Sequence, residues 1–179
     1  MKDPLNQPPS PEIKFPEIAE EIVRMAEVDQ DMREKGLDDP ELWDNSVDEN
    51  NTARMKQIIE QIGWPTVSKV GEEVSSRAWL LVQHADRDVE FQDYCLTLMK
   101  KEEVGEVSLH DVAYLEDRIR IHRGQPQIYG TQFDEIDGKF VPKTIEDPDK
   151  VDERRKEMGL PTLAENTDEM YRKYKMKKL

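Results

Sequence analysis

Three short strings in this chain combine residue types that can move protons or grip a polar ligand. The first, Gln83-His84-Ala85-Asp86-Arg87-Asp88, directly follows the longest apolar run, Ala78-Trp79-Leu80-Leu81-Val82. His84 stands one helical turn beyond Leu80 and Leu81, so its imidazole starts on the buried side. A half-buried imidazole needs partners for both ring nitrogens, and a nearby carboxylate would fix its tautomer. His84 is therefore a candidate general base or acid with Asp86 orienting it. The competing reading makes Asp86 or Asp88 the N-cap of the next helix and His84 a satisfied structural residue. The second string is Asp117-Arg118, followed by Arg120, His122 and Arg123. Asp117 is an alternative orienting carboxylate. Arg118 could grip a carboxylate or phosphate with both arms of its fork, or close an internal ion pair with an acid such as Asp29. The third string, Gln125-Pro126-Gln127-Ile128-Tyr129-Gly130-Thr131-Gln132, packs three amides, a phenol and a hydroxyl around one glycine. Such a segment either reads a polar ligand or forms a loop tied to itself.

Several signatures are missing. Three histidines (His84, His110, His122) and the single Cys95 exclude zinc sites of the Cys/His type. There is no Walker loop, no GxGxxG, no GxSxG, no EF-hand loop and no Glu-x-x-His pair, so no metal and no cofactor is expected. His110-Asp111 superficially resembles the helical, metal-dependent HD phosphohydrolases, but Asp111 is better used as the capping partner of Ser108.

The elements that must position these residues are helical. Ile18, Ile22, Met25 and Ala26 predict a helix from about Glu17 to Lys35 that stops at Gly36. Met55, Ile58, Ile59 and Ile62 predict a second, with a capping box at Ser46 to Glu49 and a stop at Gly63. A third begins after Pro65, carries Val70, Val74, Ala78 and Leu81, and is apolar all round from Ala78 to Val82, hence central. Phe91, Tyr94, Cys95 and Leu98 predict a fourth from near Asp88. Val112, Leu115 and Ile119 predict a fifth, capped by Ser108 and ended by Gly124 and Pro126. Asp137-Gly138 between two aromatic and β-branched runs signals a hairpin. Pairing Ile136 with Lys139 puts Tyr129, Phe133 and Phe140 on one face, which should lie on helices. Asp147 as N-cap, Pro148 and Gly159 bound a short helix, and Thr162 to Glu165 caps a last one.

The expectation is a mainly α, single-domain bundle of five to seven helices with one small β-hairpin near residues 129–145. Residues 15–170 form this domain. Residues 1–14, which hold four of the eleven prolines, are a flexible arm, and residues 171–179 a tail with five bases and no acid. That tail reads either as a contact for an anionic partner or as the fraying last turn of a helix.

The chain has 179 residues with 40 Asp and Glu against 26 Lys and Arg, a formal charge of -14. Long-range electrostatics therefore oppose nucleic acid and anionic membrane surfaces. No apolar run approaches the roughly 20 residues of a membrane span. The N-terminus has no apolar signal region and one cysteine cannot form an internal disulfide, so a cytoplasmic location is expected.

The strings Met25-Ala26-Glu27-Val28-Asp29-Gln30 with Arg33 following, Asn51-Thr52-Ala53-Arg54, Gly63-Trp64-Pro65, Val70-Gly71, Ala78 to Asp86, Phe91-Gln92, Ala113-Tyr114-Leu115-Glu116-Asp117-Arg118, Gly124 to Gln132, Ile145-Glu146-Asp147-Pro148 and Val151-Asp152-Glu153-Arg154-Arg155 together resemble an uncharacterised, mainly bacterial domain family of unknown function, over roughly residues 17–166. The resemblance supplies a boundary and no mechanism. Asp29, Arg33, His84, Asp86, Gln92, Asp117, Arg118, Gln127, Tyr129 and Gln132 all fall within these strings or beside them, and their convergence would make one pocket. Two functions stay open. In one, a small polar or anionic molecule binds Arg118, Gln92, Gln127, Tyr129, Gln132, Arg33 and Asp29, with acid/base work by His84 and Asp86 or Asp117. In the other, the polar network is structural and the domain is a protein-interaction module whose partner is unknown.

Overall fold

The computed structural model describes residues 13–175, Gly138 excepted. Most of the expected arm, the second turn residue of the hairpin and the last four residues of the expected basic tail lie outside the described residues. The fold is mainly helical with one two-stranded antiparallel hairpin, as the periodicity predicts. The described residues cluster into two compact units, one of residues 13–84 and 102–107, the other of residues 85–101 and 108–175.

In the first unit α1 (Pro16–Asp38) packs on α2 (Asn45–Ile62) and α4 (Glu72–Gln83), with the short α3 (Val67–Val70) between. Ile22, Ala26, Met55, Ile58, Trp64, Val70, Ala78, Leu81 and Val82 are its interior, each large side chain contributing about 1.5–3 kcal/mol by leaving water. The single helix predicted after Pro65 is divided in two. Gly71 takes φ +91°, a left-handed value that ends α3 and re-aims the chain into α4. That division makes eight α-helices among the described residues.

Two expected boundaries move. Helix α1 does not stop at Gly36 but runs on to Asp38. Gly36 is there for space: a Cβ on it would stand 2.7 Å from Trp43 Cε3. The α2 cap is Asp44, whose carboxylate accepts from the Ser46 N–H at 2.9 Å, so the Ser46 to Glu49 box is not formed and Asp48 is left for other work. Gly36→Ala should accordingly lower the melting temperature by several degrees, although alanine is the better helix former by about 1 kcal/mol. It should also shift Trp43 emission, because the ring must slide off the helix. A thermal melt followed by fluorescence reads both, and a stabilised variant would show that Trp43 does not press on α1.

In the second unit α5 (Val89–Met99) packs on α6 (Leu109–His122), and the chain continues through β1 (Phe133–Ile136), β2 (Lys139–Pro142), a 3-10 turn at Pro148–Lys150, α7 (Val151–Glu157) and α8 (Leu163–Lys175). Asp88 caps α5 by accepting from the Phe91 N–H at 3.0 Å. Ser108 caps α6 by accepting from the Asp111 N–H at 3.3 Å. At α8, Thr162 and Glu165 form a full capping box, with each side chain accepting from the other residue's N–H. The buried stripe of α5 is Phe91, Gln92, Cys95, Leu96 and Met99; Tyr94, expected on it, points out at 55% exposure. The hairpin register is the expected one, Ile136 with Lys139, and Phe140 meets Tyr171 of α8 edge-on at 5.6 Å. Asp147 takes a left-handed φ of +46° and makes no side-chain cap, so the turn before α7 is held otherwise: the Arg154 guanidinium donates to the Glu146 and Asp147 carbonyls. Tyr171 to Lys175, the first part of the expected tail, are helical.

Candidate functional site

His84 follows the last residue of α4, where Ala78, Leu81 and Val82 fix the helix and leave the imidazole 14% exposed. Its Nδ1 lies 3.1 and 3.0 Å from the two carboxylate oxygens of Asp29. Asp29 is fully buried on the core face of α1 and also accepts from Gln30 Nε2 at 2.7 Å and Arg33 Nε at 3.3 Å. Burial opposes ionisation of Asp29, but the His84 hydrogen bond and charge, with Gln30 and Arg33 adding, outweigh it and hold the carboxyl below its usual range. Arg33 reaches on to Asp48 of α2 at 2.5 Å, and the Trp43 ring covers its guanidinium with the centroid 5.2 Å away. Burial pushes the Asp48 carboxyl up, and the Asp29 charge adds to that against the pull of Arg33.

Around His84 Nδ1 a donor and an acceptor compete. Arg33 Nε also lies 3.0 Å from Nδ1, but a guanidinium and an ionised carboxylate cannot both be satisfied by an unprotonated Nδ1. In the tautomer that carries its proton on Nδ1, that nitrogen donates to Asp29 and the Arg33 donor is left to the same carboxylate. The lone pair is then on Nε2, to which no described residue makes a hydrogen bond. An imidazole oriented through Nδ1–H by a buried carboxylate, with Nε2 open, is the arrangement of a general base.

In the second unit Asp86 does not orient a base. Arg118 grips it with both arms, Nε to Oδ1 at 2.7 Å and Nη2 to Oδ2 at 2.5 Å, and His122 and Gln92 add longer contacts of 3.6 and 3.4 Å. Burial works against the charge of Asp86, but Arg118, then His122 and Gln92, hold its carboxyl below the usual range. The internal ion pair expected for Arg118 is therefore formed, with Asp86 rather than Asp29 as its acid.

Asp117 and the glutamine-rich string form a closed structure. Asp117 is fully buried on α6 and accepts the N–H groups of Ile128 at 2.6 Å, Tyr129 at 3.0 Å and Thr131 at 3.0 Å, as well as the Thr131 hydroxyl at 3.0 Å. Burial pushes its carboxyl up against those donors. From the other side of the same loop Arg155, also fully buried, donates to the carbonyls of Tyr129 at 2.7 Å and Pro161 at 2.6 Å. The peptide units at 129–131 thus lie between a buried anion that takes their N–H groups and a buried cation that takes a carbonyl. Gly130 is required at the centre: its φ is +70° and a Cβ would meet Leu163 Cδ1 at 2.8 Å. Gln127 ties the other end by donating to the Gln132 and Lys143 carbonyls and accepting from the Gln132 N–H. Of the two readings of this string, the loop tied to itself is the one formed. Burial pushes the Tyr129 phenol up to about 12.

Residues 16–178 match the model of a family of unknown function, DUF6624. The chain belongs to the DUF6624 family. No curated protein and no solved structure matches it. The family assigns no activity, so the chemistry of this DUF6624 chain rests on its side chains. Among the described residues no three His, Cys, Asp or Glu side chains converge as metal ligands, and no helix is long and apolar enough to cross a membrane. Of the residues singled out in the sequence, the structure brings Asp29, Arg33 and His84 together; Asp48, Trp43 and Arg155 were not among them. Arg155 stands four residues after Val151, the other buried position of α7, and that spacing was the signal that could have found it.

Proposed function

We propose that this DUF6624 domain binds a small polar molecule at the Asp29–His84 pair and that His84 Nε2 exchanges a proton with it. The observation that supports this reading is an imidazole whose Nδ1 lies 3.0 Å from a fully buried carboxylate and whose Nε2 no described residue hydrogen-bonds. Asp29 is the orienting group, and Arg33, clamped by Asp48 and covered by Trp43, holds Asp29 in place. An anionic ligand is less well served than a neutral one, because Arg33 and Arg118 are already gripped by carboxylates.

The test is chemical. An activated ester such as p-nitrophenyl acetate should be hydrolysed by the wild type at least about a hundredfold faster than by His84→Gln, with Asp29→Asn between them, at the lower end of the 10²–10⁴ range of positioned acid/base catalysis. His110, at 47% side-chain exposure, stays in every variant as an internal control. Equal rates for wild type and His84→Gln would remove His84 from the proposal. The alternative, an interaction module with a structural polar network, draws its support from the second unit, where Asp86 and Arg118 pair with each other and Asp117 and Gln127 are spent on the backbone of the loop around Tyr129.

A further inference from the structure

Asn51 is a buried polar residue of the first unit whose side-chain donor no described residue takes. It lies on the buried stripe of α2 with Met55, Ile58 and Ile59, is 8% exposed, and its Nδ2 has no hydrogen-bond partner among the described residues. A buried carboxamide with an unspent donor costs stability, and native proteins keep such a group where water or a ligand completes it. Its level in the bundle is set by two contacts between α1 and α2. Arg54 meets Glu21 at 2.6 Å and Asp48 meets Arg33 at 2.5 Å, so α2 runs antiparallel to α1 between them. Asn51 falls inside that interval, one turn from Asp48 on the side of Arg54. Asp29 falls inside the same interval on α1, one turn before Arg33.

We infer that Asn51 Nδ2 and His84 Nε2 are two arms of one ligand site, and that the ligand is a small uncharged molecule of the carboxamide class. This rests on the reading of His84 given above. The two arms define the class by their hydrogen-bond sense. Asn51 offers an N–H and needs an acceptor, whereas His84 Nε2 offers a lone pair and needs a donor. A primary amide presents both on one plane. A carboxylate presents only acceptors, and it would enter a cluster in which Asp29 and Asp48 outnumber Arg33, on a chain of formal charge -14.

Acetamide and acetate are nearly the same shape and differ in these two properties, which makes them the probes. In the full chain labelled with nitrogen-15, acetamide should move the Asn51 side-chain NH2 resonances and the His84 ring nitrogens together along one saturation curve, and acetate at equal concentration should move neither. Asn51→Leu should raise the melting temperature of the free protein by about 3 °C, since it removes an unpaired buried donor. It should also weaken the acetamide response at His84 at least tenfold. A response to acetate as strong as that to acetamide, no response to acetamide at Asn51, or an Asn51→Leu variant several degrees less stable than the wild type would each overturn the inference. The two readings fail separately. If His84 responds to acetamide equally in Asn51→Leu, Asn51 is not part of the site and the role of His84 stands. If the Asn51 response survives unchanged in His84→Gln, the ligand sits on Asn51 without His84, which overturns the shared site, whereas the proton-exchange reading falls only if the ester is hydrolysed equally by wild type and His84→Gln.

Discussion

Asp117→Ala should be the most damaging single substitution in the second unit, lowering stability by about 3–5 kcal/mol, as removal of one member of a buried charged set does. The loss has two parts. The N–H groups of Ile128, Tyr129 and Thr131 lose their acceptor together, and each buried donor left unpaired costs about 1–3 kcal/mol. Arg155, whose pKa is already lowered by burial, then loses one of the nearby negative charges that favour its own. For a chain of this size the result is a melting temperature lower by about 10 °C. Asp117→Asn retains one oxygen for the loop but turns an N–H toward its donors, so it should fall between. Thermal denaturation followed by circular dichroism at neutral pH measures all three proteins. A loss below about 1 kcal/mol for Asp117→Ala would show that the loop holds its shape without the carboxylate.

The second large effect belongs to Asp29, in the first unit. Asp29→Asn should cost about 2–3 kcal/mol at neutral pH, because a fully buried acceptor of three charged or polar donors becomes a weaker acceptor that also donates. The pH dependence has a definite sign. Asp29 is held below its unfolded value of about 3.9, so its stabilisation is fully present above that value and is lost as pH falls through the lower folded one. Across this window the unfolded chain takes up the proton first. Asp86 acts with the same sign in the second unit. Asp48, pushed up by burial, acts with the opposite sign: its contribution is present below the unfolded value and lost as pH rises through the folded one. The difference in unfolding free energy between wild type and Asp29→Asn, measured by urea denaturation from pH 2 to pH 7, should therefore shrink toward the acid end. A difference that is constant with pH would mean that the Asp29 carboxyl titrates alike in the folded and unfolded chains.

Local physics made much of the fold legible. The i, i+4 recurrence at Ile18 and Ile22 and at Met55 and Ile59, the caps at Asp88, Ser108 and Thr162, and the Ile136 to Lys139 register each depend on residues within a few positions of one another. Where a local rule failed, a distant residue had intervened. Gly36 reads as a helix stop and is a helical residue under Trp43; Ser46 to Glu49 reads as a capping box, yet Asp48 serves Arg33 across 15 positions.

The candidate site divides the same way. Residue types and spacing marked His84 as a polar group beside an apolar helix face and excluded zinc chemistry of the Cys/His type, while Asp29 and Arg33 joined the candidates through the family resemblance. Which carboxylate orients His84 was decided by the bundle, because Asp86 is two residues away in sequence while Asp29 is 55 away and reaches the imidazole only when α1 packs on α4. The same holds for Asp117 and Arg155, which act on one loop from opposite sides without any periodicity to join them. Spacing along a chain determines what lies on one face of one element; which face meets which is set by burying the core, and the partners of a buried charge follow from that packing.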